Sequence, residues 1–272
     1  MVMALKGRIG FAGCGNMGGA LLKGMLRAGV AQAPQVVVAE VDAERAKQLS
    51  TDLDVSTVAA PAQLSDLDLL ILAVKPGLVA RAAQDAAQAL RPGSLVITLA
   101  AGLKLATVAS ALPAGQALVR AMPNTPALVG RGVTAVCADL AQDPAYLDIA
   151  REVFGAVGPV VTVEEKLMDA VTALSGSGPA YVYVMIEALA DAGVCQGLDR
   201  ATALTLASHT VAGAAHMVIK TGEHPGVLKD WVTSPGGTTA AGLAELERGG
   251  VRGVIYRVIE AATRRGKELD KK

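Results

Sequence analysis

Through residues 1–163, short apolar runs alternate with stretches of helical periodicity. Runs at 8–12, 36–39, 68–74, 94–99, 116–121, 132–137 and 159–163 predict strands. Several are apolar almost without a break, the mark of strands buried on both faces in a parallel sheet covered by helices. Helical patterns occupy 16–29 and 43–50, and a third runs to residue 90, where Pro92 and Gly93 interrupt it. Strands and helices alternating at this length predict a doubly wound α/β sheet.

The strand rhythm stops after about residue 164. Helices are predicted at 165–174, 180–196, 199–220, 225–232, 238–248 and 251–269, with Gly197 and Asp199 as stop and N-cap between the second and third. In the last helix Val251, Val254, Ile255, Val258, Ile259 and Ala262 share one face. The helices at 180–196 and 199–220 are apolar most of the way round, which requires cover on several sides. A segment of this size cannot bury that much surface alone. The reading is an α/β domain over 1–163 followed by an all-α domain over 164–272, the second forming a homodimer interface; ordinary burial within one protomer is the alternative.

Composition narrows the classes. The chain has 272 residues, 52% hydrophobic and 18% charged, which supports a large core and argues against disorder. The formal net charge is zero, so nothing draws the chain toward nucleic acid or an anionic membrane. Cys14, Cys137 and Cys195 lie far apart, which argues against a disulfide framework or a zinc site and fits a reducing compartment. Residues 1–7 are too short and mixed for a signal peptide. Mean hydropathy is +0.42, yet the stretch 170–194 is interrupted by Ser175-Gly176-Ser177-Gly178-Pro179 and the stretch 203–219 carries His209 and His216. The expectation is a cytoplasmic protein with no membrane span.

Gly13-Cys14-Gly15-Asn16-Met17-Gly18 follows the first strand and opens the first helix, the context a dinucleotide fingerprint requires. Gly13 permits the tight turn, Gly15 lets the backbone approach a pyrophosphate, and Gly18 lets helix pack on strand. This is a Rossmann-type N-terminal domain. Glu40 ends the second strand about 20 residues after Gly18, where an acid accepts from ribose hydroxyls and favours NADH over NADPH, with Arg45 close enough to complicate that preference. Three more strand ends are candidates to face the nicotinamide: Ala73-Val74-Lys75-Pro76, Ala100-Ala101-Gly102, and the loop carrying Asn124. Lys75 could orient cofactor or substrate, or simply end a strand at the surface. No metal is expected: His209 and His216 share a helical stripe but lack further ligands, and His224 reads as a turn residue. Glu187, in an apolar helix, reads as a partner contact.

A second glycine-rich turn, Ser234-Pro235-Gly236-Gly237-Thr238-Thr239, opens a C-terminal helix. The free amides of such a helix start suit a carboxylate, and an N-capped helix after a Pro-Gly turn is the plain alternative.

Several blocks together resemble the pyrroline-5-carboxylate reductase family: residues 10–18, Ala73-Val74-Lys75-Pro76-Gly77, Arg120-Ala121-Met122-Pro123-Asn124-Thr125-Pro126, residues 174–181, Leu228-Lys229-Asp230 and the turn at 234–239. They span nearly the whole chain in the family's order. The resemblance implies reduction of L-1-pyrroline-5-carboxylate to L-proline with NADPH or NADH, the last step of proline biosynthesis. It also implies a Rossmann domain joined to a helical dimerisation domain, with larger rings of dimers in some members. By the same resemblance Ser234, Gly237 and Thr238 hold the substrate carboxylate. Thr239 reaches the ring nitrogen as the catalytic group, and Glu165 and Trp231 line the pocket. Glu40 departs from the small polar residue many members carry, and Trp231 from a smaller one. Two other readings compete. A β-hydroxyacid dehydrogenase needs a lysine that 179–196 lacks, and a dinucleotide-sensing protein would not need the second glycine-threonine turn.

Overall fold

Among the described residues eight strands form one sheet, in the order β3-β2-β1-β4-β5-β6-β7-β8. The computed structural model describes residues 5, 7–139 and 143–269, so most of the first seven residues lie outside the described part. In chain order the elements are β1 (Ile9–Ala12), α1 (Asn16–Arg27), β2 (Val36–Ala39), α2 (Ala43–Leu53), β3 (Ser56–Val58), β4 (Leu67–Leu72), α3 (Val79–Ala86), β5 (Leu90–Thr98), α4 (Leu105–Ala109), β6 (Ala117–Met122), β7 (Thr134–Ala138), α5 (Ala145–Gly155) and β8 (Val160–Thr162). They continue with α6 (Met168–Val171), α7 (Gly178–Cys195), α8 (Arg200–Thr221), α9 (Pro225–Trp231), α10 (Thr238–Arg248) and α11 (Val251–Leu269).

The first six strands are mutually parallel, and strand order reverses between β1 and β4. β7 then runs antiparallel to β6, and β8 is parallel to β7. The sheet is therefore mixed. β7 is buried on both faces like its parallel neighbours, so its apolar pattern carries no sign of direction. Two apolar layers sandwich the sheet. One gathers Phe11, Leu21, Leu22, Met25, Ile71, Ile97 and Phe154; the other gathers Leu67, Leu70, Leu72, Val79, Val96 and Met168.

Three further differences from the pattern reading have local causes. The expected helix to residue 90 ends at Ala86, because Leu90 already pairs with Leu67 on β4, and a register shift takes up the Pro-Gly pair. β3 is three residues, Ser-Thr-Val, too short and polar to announce itself. The expected helix at 165–174 is a composite: a 3₁₀ turn (Glu165–Leu167), α6, and a π turn (Thr172–Gly176) closed by Ser177 N–H donating to the Thr172 carbonyl at 2.8 Å.

By compactness the chain divides into one unit reaching Ser177 and including residues from Ala262 onward, and a second of Gly178–Ala261. The change of rhythm at 163/164 lies ahead of that division. In the second unit α7 packs on α8 around Ala190, Ala203 and Ala207. The Asp199 carboxylate caps α8 by accepting from Thr202 N–H at 3.0 Å, and hydrogen bonds from Thr202 hold its pKa below the usual range. Large apolar side chains of this unit remain exposed, among them Leu206 at 54% and Ile219 at 78%.

Candidate active site in two parts

The parallel strands deliver the predicted cofactor residues to one edge of the sheet. Gly13 follows β1 with φ +78°, and a Cβ there would lie 2.6 Å from Val74 Cγ1. A Cβ on Gly18 would lie 3.0 Å from that of Ala73. The turn after β1 thus abuts the loop after β4, where strand order reverses and where α/β sheets take their ligands. Space is open around Gly15, and no side chain caps α1 at that residue. An uncapped helix start with room before it fits a dinucleotide pyrophosphate. The residues present therefore suit a nicotinamide dinucleotide.

Around this turn the side chains are ordered by hydrogen bonds. Glu40 is nearly buried; its Oε2 accepts from Cys14 N–H at 3.1 Å and its Oε1 from Asp42 N–H at 3.2 Å. Arg45 Nε donates to the Cys14 carbonyl at 2.7 Å and lies 3.9 Å from Glu40. Burial pushes the Cys14 thiol up to about 12, against the opposing pull of Arg45, so it is a neutral packing group. Asn16 is exposed and Met17 packs on the first apolar layer. A cavity of about 370 Å³ runs beside α1, with Asn16, Lys23, Arg45 and Gln48 in its wall.

The other strand ends are placed on the same edge. Lys75 is exposed and precedes a 3₁₀ turn that starts at Pro76. Ala100 is buried, its N–H donating to Thr98 Oγ1 at 3.3 Å, and Ala101 is exposed beside Gly102. Asn124 is buried, and its Oδ1 accepts from Val133 N–H at 2.9 Å, so its carbonyl oxygen braces the loop after β6.

Glu165 lies in the same unit. Its Oε1 accepts from Leu105 N–H at 2.5 Å and stands 3.7 Å from Arg120 Nη1. Arg120 is 3% exposed on β6, and its Nη2 has no hydrogen-bond partner among the described residues. This cation was part of a matching sequence block, but its pairing with Glu165 had no local signal. Burial raises the neighbouring Cys137 thiol to about 11, with Arg120 pulling the other way. The π turn at Thr172–Gly176 approaches the end of β6: a Cβ on Gly176 would lie 2.5 Å from Met122 Cε. π turns of this kind recur at functional sites.

The second part lies in the helical unit. Gly236 has φ +68°, and Gly237 N–H donates to the Ser234 carbonyl at 3.0 Å, closing a turn that ends at the start of α10. Gly237 is the N-cap and carries no capping side chain; a Cβ there would collide with Ser234 Oγ. Ser234 and Thr238 are exposed and Thr239 is half-buried. The helix start leaves its first amides open to an anion, with three hydroxyls around it. Trp231 ends α9 and is 63% exposed. Among the described residues no cluster of His, Cys, Asp or Glu could hold a metal.

Comparison with known proteins adds the following. A family model described as pyrroline-5-carboxylate reductase dimerisation matches residues 165–269, and one described as NADP oxidoreductase coenzyme F420-dependent matches residues 8–102. The pyrroline-5-carboxylate reductase of Methanosarcina acetivorans is 43% identical over 97% of this chain and 98% of its own. A solved pyrroline-5-carboxylate reductase from Coxiella burnetii matches with a TM-score of 0.93 at 34% identity, covering 98% of this chain and 100% of that one. The Plasmodium falciparum pyrroline carboxylate reductase, solved with NADP bound, matches with a TM-score of 0.86 at 30% identity over 98% and 100% of the two chains.

Proposed function

This chain belongs to the pyrroline-5-carboxylate reductase family, and we infer from that premise its reaction and the residues that carry it. It is an NAD(P)H-dependent oxidoreductase that reduces the C=N bond of L-1-pyrroline-5-carboxylate to give L-proline. When bound, the reduced nicotinamide supplies the hydride; the protein supplies position and electrostatics. The turn at residues 13–18 holds the pyrophosphate against the uncapped start of α1, while Ala73, Val74, Lys75, Pro76, Ala100, Ala101, Gly102 and Asn124 frame the nicotinamide side.

The observation that carries the substrate assignment is the glycine-led, uncapped start of α10. Its amides near Gly237 and Thr238, with Ser234, bind the substrate carboxylate. Thr239 hydrogen-bonds the ring nitrogen and orients its proton. A protonated imine accepts hydride at carbon as the C=N π pair settles on nitrogen, so a strong enzyme acid is not required. Glu165 and Trp231 border the pocket in this reading. Glu165 is held by Arg120 and the start of α4, which favours a bracing role for its carboxylate.

The exposed apolar surface of α7 and α8 supports a homodimer through the helical domain, with a ring of dimers as its larger form. α8 is long and apolar enough to cross a membrane by length and composition, with 11% of that window buried. The dimerisation model over 165–269 favours a subunit interface for this surface. Three unpaired cysteines support a cytoplasmic location. Oxidation of NADH or NADPH on adding L-1-pyrroline-5-carboxylate, followed at 340 nm, tests the reaction. No oxidation of either by the wild-type chain would overturn it.

A further inference from the structure

The end of β2 carries the two side chains that decide between a ribose hydroxyl and a 2′-phosphate. A carboxylate there accepts from the hydroxyls of NADH, and an arginine there accommodates the phosphate of NADPH. Both types are present, Glu40 and Arg45, so residue type alone leaves the choice open. The hydrogen bonds close it. A 2′-phosphate needs donors. Two backbone donors nearest the site, Cys14 N–H and Asp42 N–H, point at Glu40. A third, Arg45 N–H at the start of α2, is taken by Asp42 Oδ1 at 3.1 Å. Arg45 itself gives Nε to the Cys14 carbonyl and lies beside the Glu40 carboxylate, which offsets its charge. Glu44 adds a further acid to the first turn of α2. The phosphate would meet Glu40, Asp42 and Glu44 against Arg45, whose Nε is already given to the Cys14 carbonyl, and like charges repel.

Glu40 can still serve a sugar. Two carboxylate oxygens offer about four acceptor positions, and each here takes one backbone N–H. The carboxylate is nearly buried and held from both oxygens, so it is already oriented before any ligand arrives.

We propose that Glu40, fixed by Cys14 and Asp42, makes this chain select NADH over NADPH, with Arg45 serving as its brace rather than as a phosphate site. The proposal rests on reading the turn at 13–18 as the dinucleotide site. It parts this chain from the Plasmodium structure, whose bound nucleotide is NADP.

Titration calorimetry of the wild-type protein with NADH and with NADPH tests it without turnover. The expected result is a Kd for NADH at least tenfold lower. Glu40→Ser removes the charge and frees two amides, and should narrow that ratio tenfold or more by strengthening NADPH. Glu40→Asp keeps the charge and should keep the preference. Arg45→Gln should not weaken NADPH selectively. Equal or tighter NADPH binding by the wild type overturns the proposal, even if Glu40→Ser fails to fold. A selective NADPH loss in Arg45→Gln overturns the role given to Arg45. Binding of neither nucleotide would instead sink the cofactor reading on which the proposal stands.

Discussion

The twelve largest fully buried side chains, from Phe11 and Phe154 to Leu95 and Ile97, all come from the unit that carries the sheet. From Gly178–Ala261, the buried hydrophobic residues are three alanines, while Tyr183, Val184, Leu189, Leu206 and Ile219 stay exposed. Yet α7 and α8 are rich in apolar residues. In the sheet, an apolar run finds its cover inside the same chain. In the helices the same composition is a demand for cover that one chain does not meet. The first unit is a finished body; the second leaves apolar surface that only assembly can cover.

The sharpest way to break this contrast is to charge the helical surface. Leu206→Glu combined with Ile219→Glu should abolish assembly and reduce activity below detection, with sedimentation velocity reporting monomer or aggregate. A doubly charged variant that sediments like wild type and turns over normally would mean that the surface has no partner. Next in size is Thr239→Ala, expected to lower kcat/KM by roughly 10²-fold, the ordinary cost of losing a group that positions a proton. Because Thr239 is half-buried and uninvolved in a core, its melting temperature should stay near wild type; unchanged kinetics would remove Thr239 from the reaction.

In the sheet unit, Gly13→Ala places a side chain at φ +78° and against Val74. A cost of about 1–3 kcal/mol is expected from that conformation, with weakened nucleotide binding by calorimetry. Full stability with full affinity would contradict the crowding. The smallest effect concerns alkali. Folding keeps the Cys14 and Cys137 thiols protonated up to about 12 and about 11, whereas an unburied thiol loses its proton near 9.0. Between those values the unfolded chain binds fewer protons, so stability is complete below pH 9 and declines as pH rises toward 11. Urea titrations across that range should show the slope, and Cys14→Ala with Cys137→Ala should flatten it. An unaltered slope would assign the decline to other groups.

Much of this was legible beforehand where one local pattern has one physical solution. Continuous apolar runs mark the parallel strands, and the glycine pattern at residues 13–18 marks the turn after the first of them. What stayed hidden depended on distant partners. The reversal of β7 left no trace, since a strand buried on both faces reads alike in either direction. The pairing of Arg120 with Glu165 joins segments far apart in sequence, and nothing near either residue foretells it. Glu40 and Arg45 were visible as rivals, but only their hydrogen bonds tell which one governs the pocket. The π turn straddles the predicted end of a helix at residue 174, and Thr-Ala-Leu carries nothing that distinguishes its first half from ordinary helix.

The two outermost strands, β3 and β8, are each only three residues long. A sheet margin that short gives a passing polypeptide little backbone to zip onto, so fibre-like growth from either border is discouraged. Self-association is thereby channelled away from the strand borders and toward surfaces such as the apolar helical faces of α7 and α8.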